Sequence, residues 1–552
     1  MKRTLALLLV VLLTISMVAC STESKPESTT PTAKPAESES TPADAEQPTD
    51  ESKKYYVSDE KVEYEFVWIA NPNFGNVDEM EMFNILEEMT NLHINWISIP
   101  RAAKKEKMAV MFADNDLPDA FWGRQSMQHM DAVKYGDQGI MAPLEDYVEE
   151  CMPNMMNVLG MYPEVYGAIT SDSGHIYSLP RVKYGFGVEG FPNAQMYINK
   201  QWMDNLNLEM PKTTDDIYNV LKAFKEQDAD GDGDATNEIP YSVGPGYKVD
   251  SVLLGSFGVL NSKDYLFHNM ADKRLDFMAN SDEYKAFLSY INKLSTEGLL
   301  DPESFTQDVT QFAGRASKAE FGMISDWGGN PYTLDGTYVV MPMPAGPNGD
   351  RMTQKANGAV GACNFAITTQ CKDIPTLLRW ADIFYDADTL LTLQFEYGPL
   401  GINIEQLEDG TIDFLPTPED TSYGKFKRAN STLSCPGYLS KEINDIVHHS
   451  ETEKFFIDAA TSGEYLANAT TELVPSLTLS VEESSEMSIM KTDLVNYIKE
   501  TTANMMAGKI IVEDEWDKYV AQLDKLQCGR YEEIYNAAYQ RYLDKIEVAT
   551  GK

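Results

Sequence analysis

YEFVWIA, residues 64–70, opens the stretch of sequence that decides the fold, because its alternation and its aromatic side chains predict a strand. Residues 77–89 then carry apolar side chains at helical spacing, and LHINWISI, residues 92–99, predicts a second strand. A helix over 102–113 and a short strand at DAFWG, residues 119–123, complete the pattern. The order strand, helix, strand, helix, strand predicts right-handed crossovers and a parallel α/β sheet, in which ligands bind beyond the carboxyl ends of the strands.

The rest of the chain continues as a mixture of strands and helices and ends in helices. A short strand at 196–199 leads into a helix at 200–206, and Thr213 or Thr214 is a suitable N-cap for a helix that extends to Lys225. The chain has 552 residues, more than one hydrophobic core can serve, so we expect two or more packed units. The last third predicts helices at 442–450, 487–507, 513–526 and 531–546.

The charge balance is strongly acidic. The chain has 45 basic and 86 acidic residues, which gives a formal net charge of −41. Nucleic-acid phosphates require a basic partner surface, so this balance argues against nucleic acid as a partner. It also disfavours a protein that lies flat on anionic lipid. The composition therefore indicates a soluble acidic surface.

The N-terminus has the features of a secretory signal. Lys2 and Arg3 precede an apolar run at 4–18, which is too short to span a membrane, since a spanning helix needs about 20 apolar residues. The run ends in a small residue followed by Cys20, which resembles the lipobox of bacterial lipoproteins. We therefore expect a signal peptide at residues 1–19 and a lipid such as palmitate on Cys20. An ordinary signal peptide with a chance cysteine is the alternative.

Residues 20–54 are expected to form the lipidated cysteine and a disordered linker. From residue 21 this segment is rich in Ser, Thr, Pro, Glu and Ala and lacks large apolar side chains. It cannot bury enough surface to offset the entropy of ordering. Such a tether would hold a globular body at the extracellular face of the cytoplasmic membrane.

Five further cysteines do not indicate a metal or a disulfide framework. Five is an odd number, so at least one is unpaired within a monomer, and the spacings match no zinc pattern. We interpret them as mostly small buried apolar residues. They are Cys151, Cys363, Cys371, Cys435 and Cys528.

The sharpest chemical signal is the acidic loop DADGDGDATNE at residues 228–238. Its alternating carboxylates place oxygens on one side of a turning loop, Gly233 permits the turn, and oxygen ligands suit Ca²⁺ rather than zinc. The loop departs from the EF-hand pattern, because position twelve is Ile239 and the acid, Glu238, comes one residue early. A solvated acidic turn is the alternative, although bare carboxylates this close repel one another. The predicted ligands of a structural Ca²⁺ are Asp228, Asp230, Asp232, Asp234, Asn237 and Glu238.

Polar and aromatic residues follow the predicted strands, where an α/β lobe binds its ligand. Sugars present flat apolar faces rimmed by hydroxyls, so their sites combine aromatic platforms with Asn, Glu and Arg side chains. For each single aromatic side chain, packing in the core is the alternative. The candidate ligand contacts are Asn73, Trp122 and Arg124 near the first sheet, Tyr184, Phe186 and Glu189 near an expected lobe crossover, and Trp327 and Tyr397 farther along.

Several segments, taken in order, resemble the family 1-like extracellular solute-binding proteins of ABC importers, and in particular the large sugar-binding lipoproteins of Gram-positive bacteria. The acidic loop is similar to a variant calcium loop of such proteins, with one additional residue and with Asn237 in place of an acid. The segments are GHIYSLP at 174–180, MYINKQWM at 196–203, PKTTDD at 211–216, YGP at 397–399 and WDKYV at 516–520.

The resemblance implies a periplasmic-binding-protein-like α/β fold. It would have two lobes joined by hinge crossovers, with the ligand in the cleft between them and a helical C-terminal part. We expect lobe 1 to comprise residues 55–180 with roughly 345–400. Lobe 2 would comprise residues 181–344 with roughly 401–552.

The function implied is that of a lipid-anchored, monomeric, non-enzymatic binding protein. It would capture an oligosaccharide and deliver it to the permease subunits of an ABC importer. A secreted glycosidase or lyase is the alternative, because a catalytic pair could hide among so many carboxylates. A surface adhesion lipoprotein is a third possibility. The sequence contains neither H-E-x-x-H nor G-x-S-x-G.

Overall fold

The computed structural model describes residues 53–184, 195–245, 250–260, 264–269, 272–326, 331–354, 358–419, 421–449, 454, 469–470 and 474–550. All of these residues lie within a single compact unit, Glu51–Lys552. The signal peptide, Cys20 and all but the last two residues of the predicted linker lie outside the described residues.

Sixteen strands are present in the described part of the chain. They are β1 (Val62–Ala70), β2 (Leu92–Pro100), β3 (Ala120–Trp122), β4 (Leu179–Tyr184), β5 (Gln195–Asn199), β6 (Ile239–Val243), β7 (Leu266–Asn269), β8 (Arg274–Phe277), β9 (Phe321–Asp326), β10 (Tyr338–Val340), β11 (Thr353–Gln354), β12 (Gly358–Ile367), β13 (Ile404–Gln406), β14 (Ile412–Phe414), β15 (Gly437–Leu439) and β16 (Ala469–Thr470).

The helices of the described residues include the long C-terminal ones that the sequence predicts. Among them, none combines the length and apolar character that a membrane span requires. They are α1 (Glu81–Thr90), α2 (Lys104–Asp114), α3 (His129–Asp137), α4 (Glu145–Cys151), α5 (Pro153–Met161), α6 (Pro163–Ile169), α7 (Lys200–Asn205), α8 (Thr214–Glu226), α9 (Asp250–Leu253), α10 (Asp282–Thr296), α11 (Val309–Ala316), α12 (Pro331–Leu334), α13 (Ile374–Asp382), α14 (Leu391–Tyr397), α15 (Tyr423–Asn430), α16 (Lys441–Asp445), α17 (Val481–Met506), α18 (Val512–Lys525) and α19 (Cys528–Thr550).

Strands β1, β2 and β3 form the parallel part of a six-stranded sheet of order β15-β4-β12-β3-β1-β2. Strand β1 pairs in parallel with β2 from Val62↔Leu92 to Ala70↔Pro100 and in parallel with β3. This pairing confirms the predicted strand, helix, strand, helix, strand unit. Strand β12 runs antiparallel to β3 and β4, so the sheet is mixed rather than purely parallel. The reason is topological, since β12 enters this sheet after the chain has built the second one.

A second sheet has four strands in the order β10-β5-β9-β6. Strands β6 and β9 are parallel, while β5 runs antiparallel to both β9 and β10. The remaining pairs, β7 with β8, β11 with β16 and β13 with β14, are two-stranded. The larger sheets are joined in sequence where β4 is followed by β5 and where β10 is followed by β12.

Each large sheet packs on a hydrophobic core of its own. The first core contains a cluster of rings in which Trp122 lies against Phe66, Phe83 and Trp380. The second core joins the four-stranded sheet and α10 to the C-terminal helices α17, α18 and α19. The two cores confirm the predicted two-part α/β fold with a helical C-terminal part. All five described cysteines are buried, as the sequence predicts, and all five are free, where the sequence required only that at least one be unpaired.

The lobe boundaries remain a prediction, and the pairing of β15 bears on them. The prediction places residues from about 401 onward in lobe 2. In the structure β15 pairs in parallel with β4, from Gly437↔Arg181 to Leu439↔Lys183, and therefore belongs to the six-stranded sheet. The hydrophobic cluster of 393–447 also contains Leu439. We therefore place residues 401–447 with the first sheet.

Candidate metal loop and ligand cleft

The acidic loop connects α8 to β6 and brings three carboxylates together. One oxygen from each of Asp228, Asp230 and Asp232 lies within 4.8 Å of the others. The backbone N–H groups of Gly231 and Gly233 donate to the two oxygens of Asp228 at 2.9 and 3.0 Å. These hydrogen bonds hold the loop in a tight turn, which places the carboxylates on one side as the spacing predicts.

The two glycines of this loop have backbone conformations that favour glycine. Gly231 has φ 81° and Gly233 has φ 95°, in the left-handed region. A side chain at either position would strain the turn. The predicted role of Gly233 in permitting the turn is thus consistent with its conformation.

The second half of the loop supplies further oxygens. Asn237 donates through Nδ2 to Oδ2 of Asp232 at 2.8 Å, and the Asp234 carboxylate accepts from the N–H of Thr236 at 3.1 Å. Glu238 accepts the N–H of Ala229 at 2.8 Å through Oε1. Its Oε2 is buried and has no hydrogen-bond partner in the described residues.

These residues fit a hard divalent cation. An unpartnered buried carboxylate oxygen is costly, and clustered carboxylates repel one another unless a positive charge lies among them. All the candidate metal ligands are oxygen atoms, which suit Ca²⁺ or Mg²⁺. Asn205, at the end of α7, donates to the carbonyl of Ala229 at 2.9 Å and so anchors the loop to the second lobe.

The carboxyl ends of β1, β2 and β3 share one edge of the first sheet, because these strands are parallel. Asn73 follows β1 and Arg124 follows β3 at this edge, and both are exposed. The carbonyl of Asn73 accepts from Nε of Arg428 at 3.3 Å. Asn73 and Arg124 therefore remain candidate ligand contacts.

Trp122 and Tyr397, two of the predicted ligand contacts, are buried in this structure. Trp122 is fully buried and donates from Nε1 to Oγ1 of Thr432 at 3.1 Å. Tyr397 is 6% exposed, and its hydroxyl donates to Oδ1 of Asn444 at 3.1 Å. Neither ring can present a face to a solute in this arrangement. We therefore assign both to packing, the alternative that the sequence left open.

The crossover from the first sheet to the second carries the other predicted contacts. Strands β4 and β12 continue past the end of β3 and remain paired up to Tyr184↔Gly358. Tyr184 is thus the last described residue before the crossover, although its side chain lies outside the description. Phe186, Glu189 and Trp327 also lie outside the described residues.

A charged cluster on β4 is a feature that the sequence analysis missed. Nη2 of Arg181 and Nζ of Lys183 each lie 2.7 Å from Oε2 of Glu396. Nη1 of Arg181 donates to the carbonyl of Leu433 at 2.7 Å. Burial acts to raise the pKa of Glu396, but Lys183 and Arg181 outweigh it and lower that pKa to about 2. The sequence could have indicated this cluster, because the alternation of RVK in a strand puts both cations on one face.

On the second sheet, buried polar groups lie where β9 ends and β5 begins. Gln195 and Asp326 are paired partners in the strand register and are 8% and 5% exposed. The hydroxyl of Tyr197 donates to Oε1 of Gln195 at 3.1 Å, and the hydroxyl of Tyr332 donates to Asp326. The sequence analysis named only the next residue, Trp327.

A cavity of about 350 Å³ lies apart from these groups, between α1 and the edge strand β2. It is lined in part by Trp96, His93 and Glu87. None of the predicted ligand residues lines it.

Two α/β sheets joined by crossover strands are typical of two-lobed solute-binding proteins, and the similar proteins of solved structure belong to that class. No family model matches the chain. The chain is 28% identical over 498 residues to the fructooligosaccharide ABC transporter substrate-binding protein FusA of Streptococcus pneumoniae, covering 88% of this chain and 91% of FusA. The chain is a homologue of FusA, an ABC-transporter substrate-binding protein.

Two further proteins are similar to this chain over most of its length. A solved structure of an EF-hand mutant of S. pneumoniae FusA in complex with fructo-nystose matches with TM-score 0.72 and 27% identity, covering 87% of this chain and 99% of that one. The lipoprotein LipO of Bacillus subtilis is 25% identical over 419 residues, covering 71% of this chain and 76% of LipO.

Proposed function

We propose that this protein captures a short oligosaccharide of the fructan class and delivers it to the permease subunits of an ABC importer. The observation that carries the proposal is the similarity to FusA over nearly the whole of both chains. No catalytic step is part of this function. FusA is a substrate-binding protein, which disfavours the alternative of a secreted glycosidase or lyase.

The proposed mechanism is closure of two lobes on the solute. Asn73 and Arg124 would contact it from the first sheet, and Tyr184, Phe186 and Glu189 from the crossover. Trp327 would contact it from the second sheet. A ligand shifts the lobes toward the closed state only if it binds that state more tightly, which requires contacts with both lobes.

Calorimetric titration with fructo-nystose tests this function. We expect saturable binding at one site per chain, a raised melting temperature and an unchanged oligosaccharide in chromatography of the mixture afterwards. Arg124→Ala should weaken binding, while Arg101→Ala, also exposed but outside the ligand set, should not. Release of monosaccharides with turnover would identify an enzyme instead.

We also propose that the acidic loop holds a structural Ca²⁺. Asp228, Asp230, Asp232 and Glu238 would supply carboxylate oxygens, with Asp234 and Asn237 completing the set. The ion would neutralise the clustered charge and fix the turn between α8 and β6.

Chelation tests the ion. EDTA should lower the melting temperature, and added Ca²⁺ should restore it more effectively than Mg²⁺, because a flexible loop of many oxygens suits the larger ion. Asp230→Asn should reduce the response to chelator. The same melting temperature with and without EDTA would argue against a bound ion.

The protein is further proposed to be a monomer anchored by lipid at Cys20, on the extracellular face of the cytoplasmic membrane. The similarity to LipO supports the anchor. Cys20→Ala should move the protein from the membrane fraction to the culture medium. Retention of this variant in the membrane fraction would contradict the proposal.

A further inference from the structure

The start of α2 carries a concentrated positive charge on a chain whose formal net charge is −41. The segment RAAKKEK, residues 101–107, begins with a 3-10 turn at Arg101–Ala103 and continues into α2. Of its four cations, Lys104 is half-buried and the other three are exposed. We call the four residues the α2 basic face; they are Arg101, Lys104, Lys105 and Lys107.

This charge works against the local stability of the helix. Cations near a helix N-terminus oppose the helix dipole and so destabilise the helix, most strongly at low ionic strength. The N-cap is Ala103, which provides no side-chain hydrogen bond, and Glu106 is the single acidic residue of the first turn. A sequence selected for helix stability alone would place acidic residues and a polar cap here. Departures of this kind are expected at functional sites.

The α2 basic face is also unpaired. Within the described part of the chain, none of its four side chains forms an ion pair, whereas cations such as Arg315, Arg530 and Arg541 do. The three exposed cations, Arg101, Lys105 and Lys107, therefore present their charge to solvent. Val110, three residues after Lys107 and on the same side of α2, is 53% exposed, which adds an apolar contact beside the cations.

The position of the face in the fold relates it to the cleft. Helix α2 follows Pro100, the last residue of β2, and the carboxyl end of β2 lies at the same edge as those of β1 and β3. Asn73 and Arg124 follow β1 and β3 at this edge. A partner bound to the α2 basic face would thus lie beside the ligand-binding edge of the first lobe.

We propose that the α2 basic face is a docking surface for an acidic extracellular patch on the permease subunits of the importer. The proposal rests on the proposed function, which supplies the permease as a partner. An anionic lipid surface has the same charge as such a patch, but a plane of lipid would also meet the acidic remainder of the protein and repel it. A local acidic patch on a protein is matched by a local basic face without that repulsion.

Charge reversal with a matched control tests the docking. The variant K104E/K105E/K107E is compared with the control variant K499E/K509E/K525E, which changes the net charge by the same amount. The three control lysines are exposed and lie in α17, between α17 and α18, and in α18, respectively. Binding is measured to the permease subunits in nanodiscs of neutral lipid, and to empty nanodiscs of neutral and of anionic lipid. We expect the α2 variant to bind the permease at least 10-fold more weakly than wild type, and the control variant to remain within about 2-fold.

Three accompanying measurements make the result specific. Raising the salt concentration from 50 to 300 mM should weaken permease binding by wild type and by the control variant, but not by the α2 variant. The α2 variant should keep its melting temperature, since glutamates favour a helix start. Its affinity for fructo-nystose, measured separately, should equal that of wild type.

Equal permease binding by wild type and the α2 variant would overturn the proposal, as would an equal loss in the control variant. Wild-type binding to empty anionic nanodiscs as strong as to the permease would also overturn it, in favour of lipid. Failure of wild type to bind fructo-nystose would count against the proposed substrate. The permease measurement is independent of that result and tests the docking surface by itself.

Discussion

The carboxylate of Glu396 forms ion pairs with both cations of strand β4. Its carboxylate lies between Arg181 and Lys183, and all three side chains are at most 26% exposed. Buried cations that lose their carboxylate retain the cost of desolvation without the compensating attraction. The stability of this part of β4, where it pairs with β15, therefore depends in part on one acidic side chain.

Replacing Glu396 tests this dependence. Glu396→Gln should lower the free energy of unfolding by about 2–3 kcal/mol, because two cations lose their charged partner. Glu405→Gln, at an exposed position in β13, should change it by less than about 0.5 kcal/mol. Urea denaturation of both variants at pH 7 measures the difference. Equal stabilities would show that the cluster contributes little.

The same carboxylate predicts a pH dependence. The pKa of Glu396 is lowered from 4.5 to about 2, so its contribution is present in full above about pH 4.5 and is lost as the pH falls toward 2. The difference in stability between wild type and Glu396→Gln should therefore shrink as the pH is lowered from 5 to 3. A difference that stays constant over this range would contradict the assigned charge state.

At the scale of elements, α6 and α19 pack closely through a glycine. A Cβ at Gly167 would lie 3.0 Å from Cε2 of Tyr542 and 3.1 Å from Cγ1 of Ile546, whereas one at Gly160 in α5 would meet nothing within 4 Å. Alanine in a helix is normally favoured over glycine. The two glycines are therefore expected to respond differently to the same substitution.

The pair of alanine variants tests the close packing. Gly160→Ala should raise the free energy of unfolding by about 0.5–1 kcal/mol, because it lowers the entropy of the unfolded chain. Gly167→Ala should give no such gain, since the new methyl group must displace Tyr542 or Ile546. Thermal unfolding of both variants measures the contrast, and an equal gain would show that α19 moves aside freely.

The sequence predicts the N-cap of helix α8 to within one residue. Thr213 accepts the N–H of Asp216 at 3.0 Å, and Asp216 accepts the N–H of Thr213 at 3.0 Å, which forms a capping box. The sequence left Thr213 and Thr214 open as the cap, because adjacent threonines have the same propensity. The structure selects Thr213, since Thr214 is buried and already within the helix.

Removing this cap has a matched control in the same residue type. Thr213→Ala should cost about 1 kcal/mol of stability by leaving a backbone N–H without its partner. Thr501→Ala, inside α17, should have no such cost, because alanine is the better helix former there. Chemical denaturation of the two variants distinguishes the cap from a general effect of removing a hydroxyl group.

At the scale of the whole molecule, the last helix connects the two cores. Helix α19 belongs to the second core, yet Arg541 and Lys545 near its end form ion pairs of 2.7 and 3.0 Å with Asp172, which follows α6 of the first core. Nζ of Lys545 also donates to the carbonyl of Thr170 at 2.9 Å. The contact thus adds to the covalent crossovers that join the sheets.

Asp172→Asn should loosen this connection. We expect a loss of stability of about 1–2 kcal/mol, because these side chains are at most 30% exposed, Lys545 loses its carboxylate and Arg541 keeps only its pair with Glu483. Asp204→Asn, which breaks the exposed pair with Lys200, should cost less than about 0.5 kcal/mol. Equal effects of the two substitutions would place the Asp172 pairs among ordinary surface pairs.

The sequence by itself determined the parallel unit of β1, β2 and β3, the turn of the acidic loop and the C-terminal helices. Periodicity, capping residues and ligand spacing are local, so they are readable within a few residues. Tertiary structure alone decided that Trp122 and Tyr397 are buried, that β15 joins the first sheet and that Glu396 forms an ion pair with Arg181. These outcomes depend on contacts between residues distant in sequence, and burial by such contacts has no local signature in the chain.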